Sequence, residues 1–171
     1  MRDLVRPEVP KGNEKNVVDR FVQAKQKELG LIGAKEADRR VLARRLAFDL
    51  WGMPLESAKV EAFVKNDREG AYEELVDELL ASSRYGERWG RHWLDVVHFG
   101  ETHGYDKDQP RENAWRYRDY IIRSLNEDKP YERFVREQLA GDVLWPGTED
   151  GIVAPGFLSA GPWDLIGHME V

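Results

Sequence analysis

Apolar residues recur at intervals of three and four along most of this 171-residue chain, and this spacing predicts helices. The repeat covers seven segments, at 16–29, 35–52, 56–66, 68–82, 84–99, 114–126 and 130–140. No segment alternates apolar and polar residues in the manner of a half-buried strand. The sequence therefore predicts an all-α fold, a single compact domain of about seven helices.

Glycine and proline set the limits of this domain, because both residues interrupt helices. They mark residues 1–13, and they are frequent again from Asp142 onward. We therefore predict a linker or tail over 1–13 and a helical domain over 14–165 that ends in an irregular Gly/Pro-rich segment. Residues 166–171 are expected to be a truncated tail.

Composition excludes several classes of function. The net charge of −6 argues against a broad nucleic-acid surface, because phosphate binding needs an excess of Lys and Arg. The chain has no cysteine, so it offers neither disulfides nor thiolate metal sites nor a covalent attachment for c-type haem. No apolar run approaches the roughly 20 residues that span a bilayer, so no membrane span is predicted.

A polar stretch between the fifth and sixth predicted helices, residues 95–117, holds the densest group of candidate site residues. A pair of carboxylates can act as acid and base in hydrolysis, and the catalytic candidates are Asp95, Glu101 and Asp106 of this stretch together with Asp142 further along the chain. The candidates for ligand binding are Tyr105, Asn113, Trp115, Arg116 and Arg118. Asn113 is also the expected N-cap of the sixth helix, because Asn side chains accept hydrogen bonds from first-turn N–H groups.

The same stretch contains the only weak candidates for a metal site, His98, Glu101 and His103. Imidazole and carboxylate groups suit zinc or iron, but the spacing matches no HExxH motif. An EF-hand alignment that starts at Asp106 fails, because Arg111 stands where glycine is required. We therefore expect no metal.

The fifth helix, 84–99, carries two different faces. Trp89 and Trp93 are four residues apart on an apolar face, and they are expected in the core together with Trp115, because buried aromatics remove the most apolar area from water. The opposite face repeats charged and histidine side chains at helical spacing: Arg84, Arg88, Arg91, His92, Asp95 and His98. That face is interpreted as an ion-pair network, with a general base oriented by a carboxylate as the alternative.

Three long motifs then carry a family resemblance: "ADRRVLARRLAFDLWGMP", "AYEELVDELLASSRYGERWGRHWLDVV" and "GYDKDQPRENAWRYRDYIIRSLNEDKPYERFVREQLAGDVL". Together they resemble the planctomycete cytochrome-associated domain of unknown function, over about residues 18 to 165. The resemblance implies a helical module of a large exported protein, between a c-type cytochrome module and a second uncharacterised domain. It implies an extracytoplasmic location, no cofactor in this chain, and c-type haem in a neighbouring module.

No catalytic residue is transferred by this resemblance, so whether the chain is an enzyme stays open. The first hypothesis for function is a helical scaffold or interaction module whose partners are neighbouring domains of the same polypeptide. The alternative is a hydrolase or carbohydrate-binding site built from the carboxylates and aromatics of residues 95–117.

Overall fold

The computed structural model describes residues 5–14 and 16–164, and it confirms the all-α fold. The described residues form eight α-helices and one 3₁₀-helix, and their only β-type pairing is an isolated bridge between Thr102 and Pro110. The α-helices are α1 (Val17–Glu28), α2 (Arg39–Leu50), α3 (Ser57–Lys65), α4 (Ala71–Leu80), α5 (Ser83–Val96), α6 (Ala114–Asn126), α7 (Tyr131–Leu144) and α8 (Glu149–Val153). The 3₁₀-helix follows at Ala154–Ser159. The predicted tail at 166–171 lies outside the described residues.

The chain divides into two compact units, residues 1–37 and 38–171. The first unit contains α1. The side chain of Asn16 caps this helix by accepting a hydrogen bond of 2.8 Å from the N–H of Val18. The helix stops just before Gly30, whose φ of +66° lies in the left-handed region that glycine adopts without a Cβ penalty. Both ends agree with the sequence prediction.

The first of two cores in the second unit joins α2, α3 and α4. Its buried residues are Ala43, Leu46, Ala47, Leu55, Phe63, Leu75 and Leu79. The guanidinium of Arg39 closes one side of this core: it lies 4.0 Å from the centre of the Phe63 ring and donates to the carbonyl oxygens of Phe63 and Asn66. A buried apolar centre and a satisfied cation at its edge therefore fix these three helices.

The second core joins α6, α7 and the 3₁₀-helix, and it is rich in aromatic rings. Its buried residues are Tyr117, Tyr120, Ile121, Phe134, Ala154 and Ala160. The rings of Tyr120 and Phe134 are almost parallel, with centroids 5.9 Å apart. Trp93 of α5 meets Phe134 edge-on at 4.9 Å, so both favoured aromatic geometries occur here.

Helix α5 connects the two cores, since it contacts α2 and α4 as well as α6. Its approach to α6 depends on two buried glycines, Gly86 and Gly90. A Cβ at Gly86 would lie 2.6 Å from Cγ of Asn126, whose side chain accepts a 2.8 Å hydrogen bond from the Gly86 N–H. At Gly86 the two helices are therefore close enough that only glycine fits without a shift.

The end predicted for α7 coincides with a break in the helix. The sequence indicates an end at Ala140 because Gly141 follows, and Ala140 has the non-helical φ of −153° and ψ of 34°, after which a further helical segment runs to Leu144. Gly141 has a packing role here, because a Cβ would lie 3.1 Å from Cα of Gly151 in α8. The glycine therefore permits a close crossing of α7 and α8.

Candidate functional site

Between α5 and α6, the polar stretch 95–117 forms a short irregular hairpin. Its arms are joined by hydrogen bonds from the N–H of His103 to the carbonyl of Gln109 (2.9 Å) and from the N–H of Arg111 to the carbonyl of Glu101 (2.8 Å). At the tip, Gly104 and Tyr105 both have positive φ. The Asp108 carboxylate accepts a 2.8 Å bond from the Gly104 N–H. Bonds from the Thr102 hydroxyl and this N–H lower the pKa of Asp108.

Arg111 is the centre of this corner, although the sequence analysis did not select it. Its guanidinium donates to the carbonyl oxygens of Gly100 (3.3 Å), Ala160 (2.9 Å) and Gly161 (3.0 Å), and also to that of Ser159. The hairpin and the chain that follows the 3₁₀-helix are thus tied together by one side chain. No local signal predicts this role, because three of its four partners are 48 to 50 residues away along the chain.

A cavity of about 560 Å³ opens beside Arg111, and we call it the corner cavity. Three sequence candidates line it, His103, Asn113 and Arg116, above an apolar floor that includes Phe99 and Tyr117. The Nδ1 atom of His103 is buried and has no hydrogen-bond partner among the described residues. The structure therefore brings these three residues together, but it leaves Tyr105, Trp115 and Arg118 outside the cavity lining.

Asn113 is the N-cap residue of α6 as predicted, but its side chain does not make the predicted capping hydrogen bond. Asn113 immediately precedes α6, but its φ of −111° and ψ of 5° are not the extended values of a capping residue, and its side chain makes no capping bond. The turn is closed instead by backbone bonds from Ala114 to Arg111 (3.0 Å) and from Arg116 to Asn113 (3.2 Å). The Asn113 amide consequently remains available at the cavity.

The four candidate carboxylates do not share a cavity of this size. Neither the corner cavity nor the larger groove described below is lined by Asp95, Glu101, Asp106 or Asp142. All four residues are exposed. Glu101 forms an ion pair with Arg118, which also binds Asp119 at 3.0 Å.

The metal candidates are also separated by their local geometry. His98 lies at the end of α5 with a positive φ of 55°, Glu101 is paired with Arg118, and His103 faces the corner cavity. Among residues 5–14 and 16–164, no three His, Asp or Glu side chains gather closely enough to hold a metal ion.

Two expectations, one for the tryptophans and one for the charged face of α5, are wrong. Trp89 of α5 and Trp115 of α6 are not core residues, since they are 41% and 45% exposed. Trp93 alone of the three packs against the second core. Nor do the charged residues of α5 form the expected ion-pair network in the described part of the chain: Arg84 instead stacks 4.9 Å from the Trp51 ring, and the side chain of Arg88 packs against Gly52.

A second concave surface lies between α5 and the junction of α6 with α7, and we call it the aromatic groove. Its volume is about 650 Å³. It is lined by Trp89, His92, Trp93, Val96, Ser124, Leu125, Asp128, Lys129, Pro130, Tyr131 and Phe134. Both its size and its mainly apolar lining are typical of ligand or docking sites. Sequence reasoning missed it, because helical spacing shows which residues share a face but not which faces remain uncovered.

Comparison with known proteins identifies the family. A family model named PSCyt2, described as a protein of unknown function (DUF1549), matches residues 17–170. The chain belongs to this family. No curated protein and no solved structure matches the chain. Within the described part of this PSCyt2 member, no helix is both long enough and apolar enough to cross a membrane.

A buried polar network underlies the aromatic groove of this PSCyt2 domain, and the sequence analysis missed it too. The Glu137 side chain is fully buried and accepts hydrogen bonds from Lys129 (2.6 Å), Tyr120 (2.9 Å) and Arg133 (2.8 Å). Lys129 also binds Asp150 at 2.8 Å, and Asp150 is paired with Arg123. The buried carboxylate of Glu137 and the ammonium group of Lys129 are therefore each paired with groups of opposite charge, as burial requires.

The network changes the acidity of its members. Burial alone would raise the pKa of Glu137, but the bonds from Lys129, Arg133 and Tyr120 outweigh it and hold the pKa below the ordinary value. Burial and the neighbouring Glu137 carboxylate together raise the pKa of Tyr120 well above that of an exposed tyrosine. Glu137 is thus an ionised structural group.

Proposed function

We propose that this domain is a helical interaction module of a larger extracytoplasmic protein, and that α7 and α8 dock a neighbouring domain of the same polypeptide. One observation carries the proposal. Large apolar side chains remain exposed on these two helices: Leu139 and Val143 on α7, and Ile152 on α8. Exposed apolar groups of this size that occur close together mark interaction surfaces in soluble proteins.

The contact between the two helices supports the same interpretation. Gly141 and Gly151 pack against each other where α7 crosses α8, so Val143 and Ile152 each lie within two residues of one crossing point. The family resemblance suggests the occupant, since the related modules stand beside a c-type cytochrome module and a second uncharacterised domain. A cytochrome module or that second domain is therefore the proposed partner.

Photo-cross-linking in the complete natural polypeptide tests the proposal. A photoreactive phenylalanine analogue at position 143 is expected to form cross-links with residues outside 17–170, which peptide mass spectrometry identifies. Position 96 on α5 is the matched control, because Val96 and Val143 are almost equally exposed, at 72% and 74%. Absence of such cross-links from position 143, or equal yields from both positions, would contradict the proposal.

A substitution provides a second test. Val143→Asp is expected to leave the free energy of unfolding of this domain within about 0.5 kcal/mol of the wild type, because an exposed side chain contributes little. In the complete polypeptide it is expected to accelerate limited proteolysis between the domains, since a carboxylate would oppose apolar docking. Val96→Asp is the control and should leave the interdomain cleavage rate unchanged.

A further inference from the structure

We propose that the aromatic groove binds a small, uncharged, ring-bearing molecule whose single hydrogen-bonding group pairs with the hydroxyl of Ser124. This inference is independent of the docking surface on α7 and α8. It rests on the shape of the groove, on the hydrogen bonds that the indole N–H groups of its walls already make elsewhere, and on one buried hydroxyl.

The walls of the groove present carbon atoms. Trp93 points its only polar atom away from the groove, because its Nε1 donates to Gln138 Oε1 (3.0 Å) and to the Tyr117 hydroxyl (3.2 Å) inside the second core. Trp89 meets the His92 ring edge-on at 5.4 Å. Its Nε1 is bonded to the Asp49 carbonyl at 3.1 Å. A flat apolar molecule can therefore contact both indoles without displacing any hydrogen bond of theirs.

The groove offers no unmatched buried charge. Lys129 lines it, but its ammonium group is bonded to Glu137 and to Asp150. His92 and Asp128 also line the groove, and both are exposed, so water solvates them. Transfer of a charged ligand into this interior would lose hydration without gaining a partner. The ligand is accordingly uncharged.

Ser124 supplies the single polar contact. It is 2% exposed and lines the groove. Its hydroxyl lies near that of Tyr120 but makes no hydrogen bond of acceptable geometry among the described residues. A serine hydroxyl can both donate and accept, and leaving such a group unpaired in a protein interior costs free energy. A ligand hydroxyl or carbonyl oxygen at this position would satisfy it.

The mouth of the groove fits an exchangeable ligand. Trp89, Val96 and Tyr131 surround it and remain exposed. The volume of about 650 Å³ lies within the range of roughly 300–1,000 Å³ that holds drug-sized molecules. A two-ring compound is smaller than this volume.

Three naphthalene probes test the proposal on the whole chain: 2-naphthol carries the ring and a hydroxyl, naphthalene carries the ring alone, and naphthalene-2-sulfonate adds a charge. Titrations are followed by heteronuclear NMR. 2-Naphthol is expected to bind saturably, with the largest shifts at the indole N–H groups of Trp89 and Trp93. The sulfonate is expected to bind at least tenfold more weakly than 2-naphthol.

Ser124→Ala tests the hydrogen bond. It should weaken 2-naphthol binding about five- to tenfold, as expected for one hydrogen bond, and leave naphthalene binding unchanged. Alanine is a strong helix former and removes an unpaired hydroxyl, so this variant is expected to fold. Equal affinity of 2-naphthol for the wild type and Ser124→Ala would overturn the proposal.

Occlusion of the mouth tests the location. Val96→Trp should weaken the binding of both 2-naphthol and naphthalene at least tenfold, whereas Val18→Trp on α1, at a residue that is also exposed, should not change either affinity. Shifts that do not saturate, or an equal effect of the two tryptophan variants, would show that the probes adhere to the surface without a site.

Discussion

At the scale of single residues, Glu137 is the most demanding position in the fold. Its side chain is completely buried, and three donors from two helices and one connecting segment converge on it. Removal of one partner from a buried ion pair leaves a buried charge without compensation. The loss of stability is therefore larger than the free energy that the contact itself contributes.

Glu137→Gln is therefore expected to lower the free energy of unfolding by about 3 kcal/mol at neutral pH, measured by urea denaturation. Glu132→Gln is the matched control on the same helix, because Glu132 makes only an exposed i,i+4 ion pair with Arg136. Such pairs contribute about 0.3–0.5 kcal/mol. Similar losses in the two variants would show that the buried network does not stabilise the fold.

The stability difference between wild type and Glu137→Gln should also depend on pH. The native pKa of Glu137 lies below its ordinary value of 4.5, so between these two values the unfolded chain binds more protons than the native state. Acidification through that window therefore destabilises the wild type. Glutamine has no proton to bind, so the difference between the two proteins should narrow as the pH falls below about 4.5. Urea denaturation at a series of pH values would measure this difference in the free energy of unfolding.

The sequence could not predict this network. Helical spacing relates Arg133 to Glu137, since they are four residues apart, but it does not connect either residue with Tyr120 or Asp150. Those contacts depend on how α6, α7 and α8 pack. The same limit explains the wrong burial predicted for Trp89 and Trp115: periodicity identifies a face, and only tertiary packing decides whether the face is covered.

At the scale of secondary-structure elements, the packing of α5 on α6 depends on two glycines with different surroundings. A Cβ at Gly86 would meet the backbone oxygen of Ile122 and the Asn126 side chain, whereas at Gly90 the nearest atom is Cγ1 of Ile122, at 3.2 Å. A backbone oxygen cannot move without its helix, but an isoleucine side chain can adjust.

Gly86→Ala is expected to destabilise the protein by about 2 kcal/mol through overpacking. Gly90→Ala should remain within about 1 kcal/mol of the wild type, because the better helix propensity of alanine offsets a small adjustment of Ile122. Thermal unfolding followed by circular dichroism would measure both variants. A larger loss at Gly90 than at Gly86 would contradict this account of the interface.

Element positions were the most predictable part of the structure. The seven predicted helices are all present, because local apolar spacing and breaker residues decide where a helix forms. The break at Ala140 agrees with the prediction, but the short helical segment that follows it was not predictable, since a glycine after a helix usually indicates its end. Here the absence of a side chain at Gly141 serves the crossing with α8, which only the tertiary structure reveals.

At the scale of the whole molecule, the second compact unit contains two apolar cores and one helix that contacts elements of both. Leu79 in the first core and Ile121 in the second are each completely buried. The sequence predicted one domain, but it did not indicate that its apolar residues divide into two clusters. That division follows from how α5 lies between them.

Leu79→Ala and Ile121→Ala are each expected to lower the free energy of unfolding by about 3 kcal/mol, because each leaves a cavity in a packed core. If α5 couples the cores, each variant should still unfold in one transition, with coincident curves from circular dichroism and tryptophan fluorescence. Two separated transitions in either variant would instead show that the two cores unfold independently.

The corner hairpin also has a practical consequence. Its arms are held by backbone bonds at 101–103 and 109–111 and by the guanidinium of Arg111, none of which involves the exposed tip at Tyr105 and Asp106. An epitope or fluorophore-binding peptide inserted after Asp106 would therefore leave the hydrogen bonds between the two arms of the hairpin in place. The tip offers an internal labelling position that leaves both chain ends unmodified.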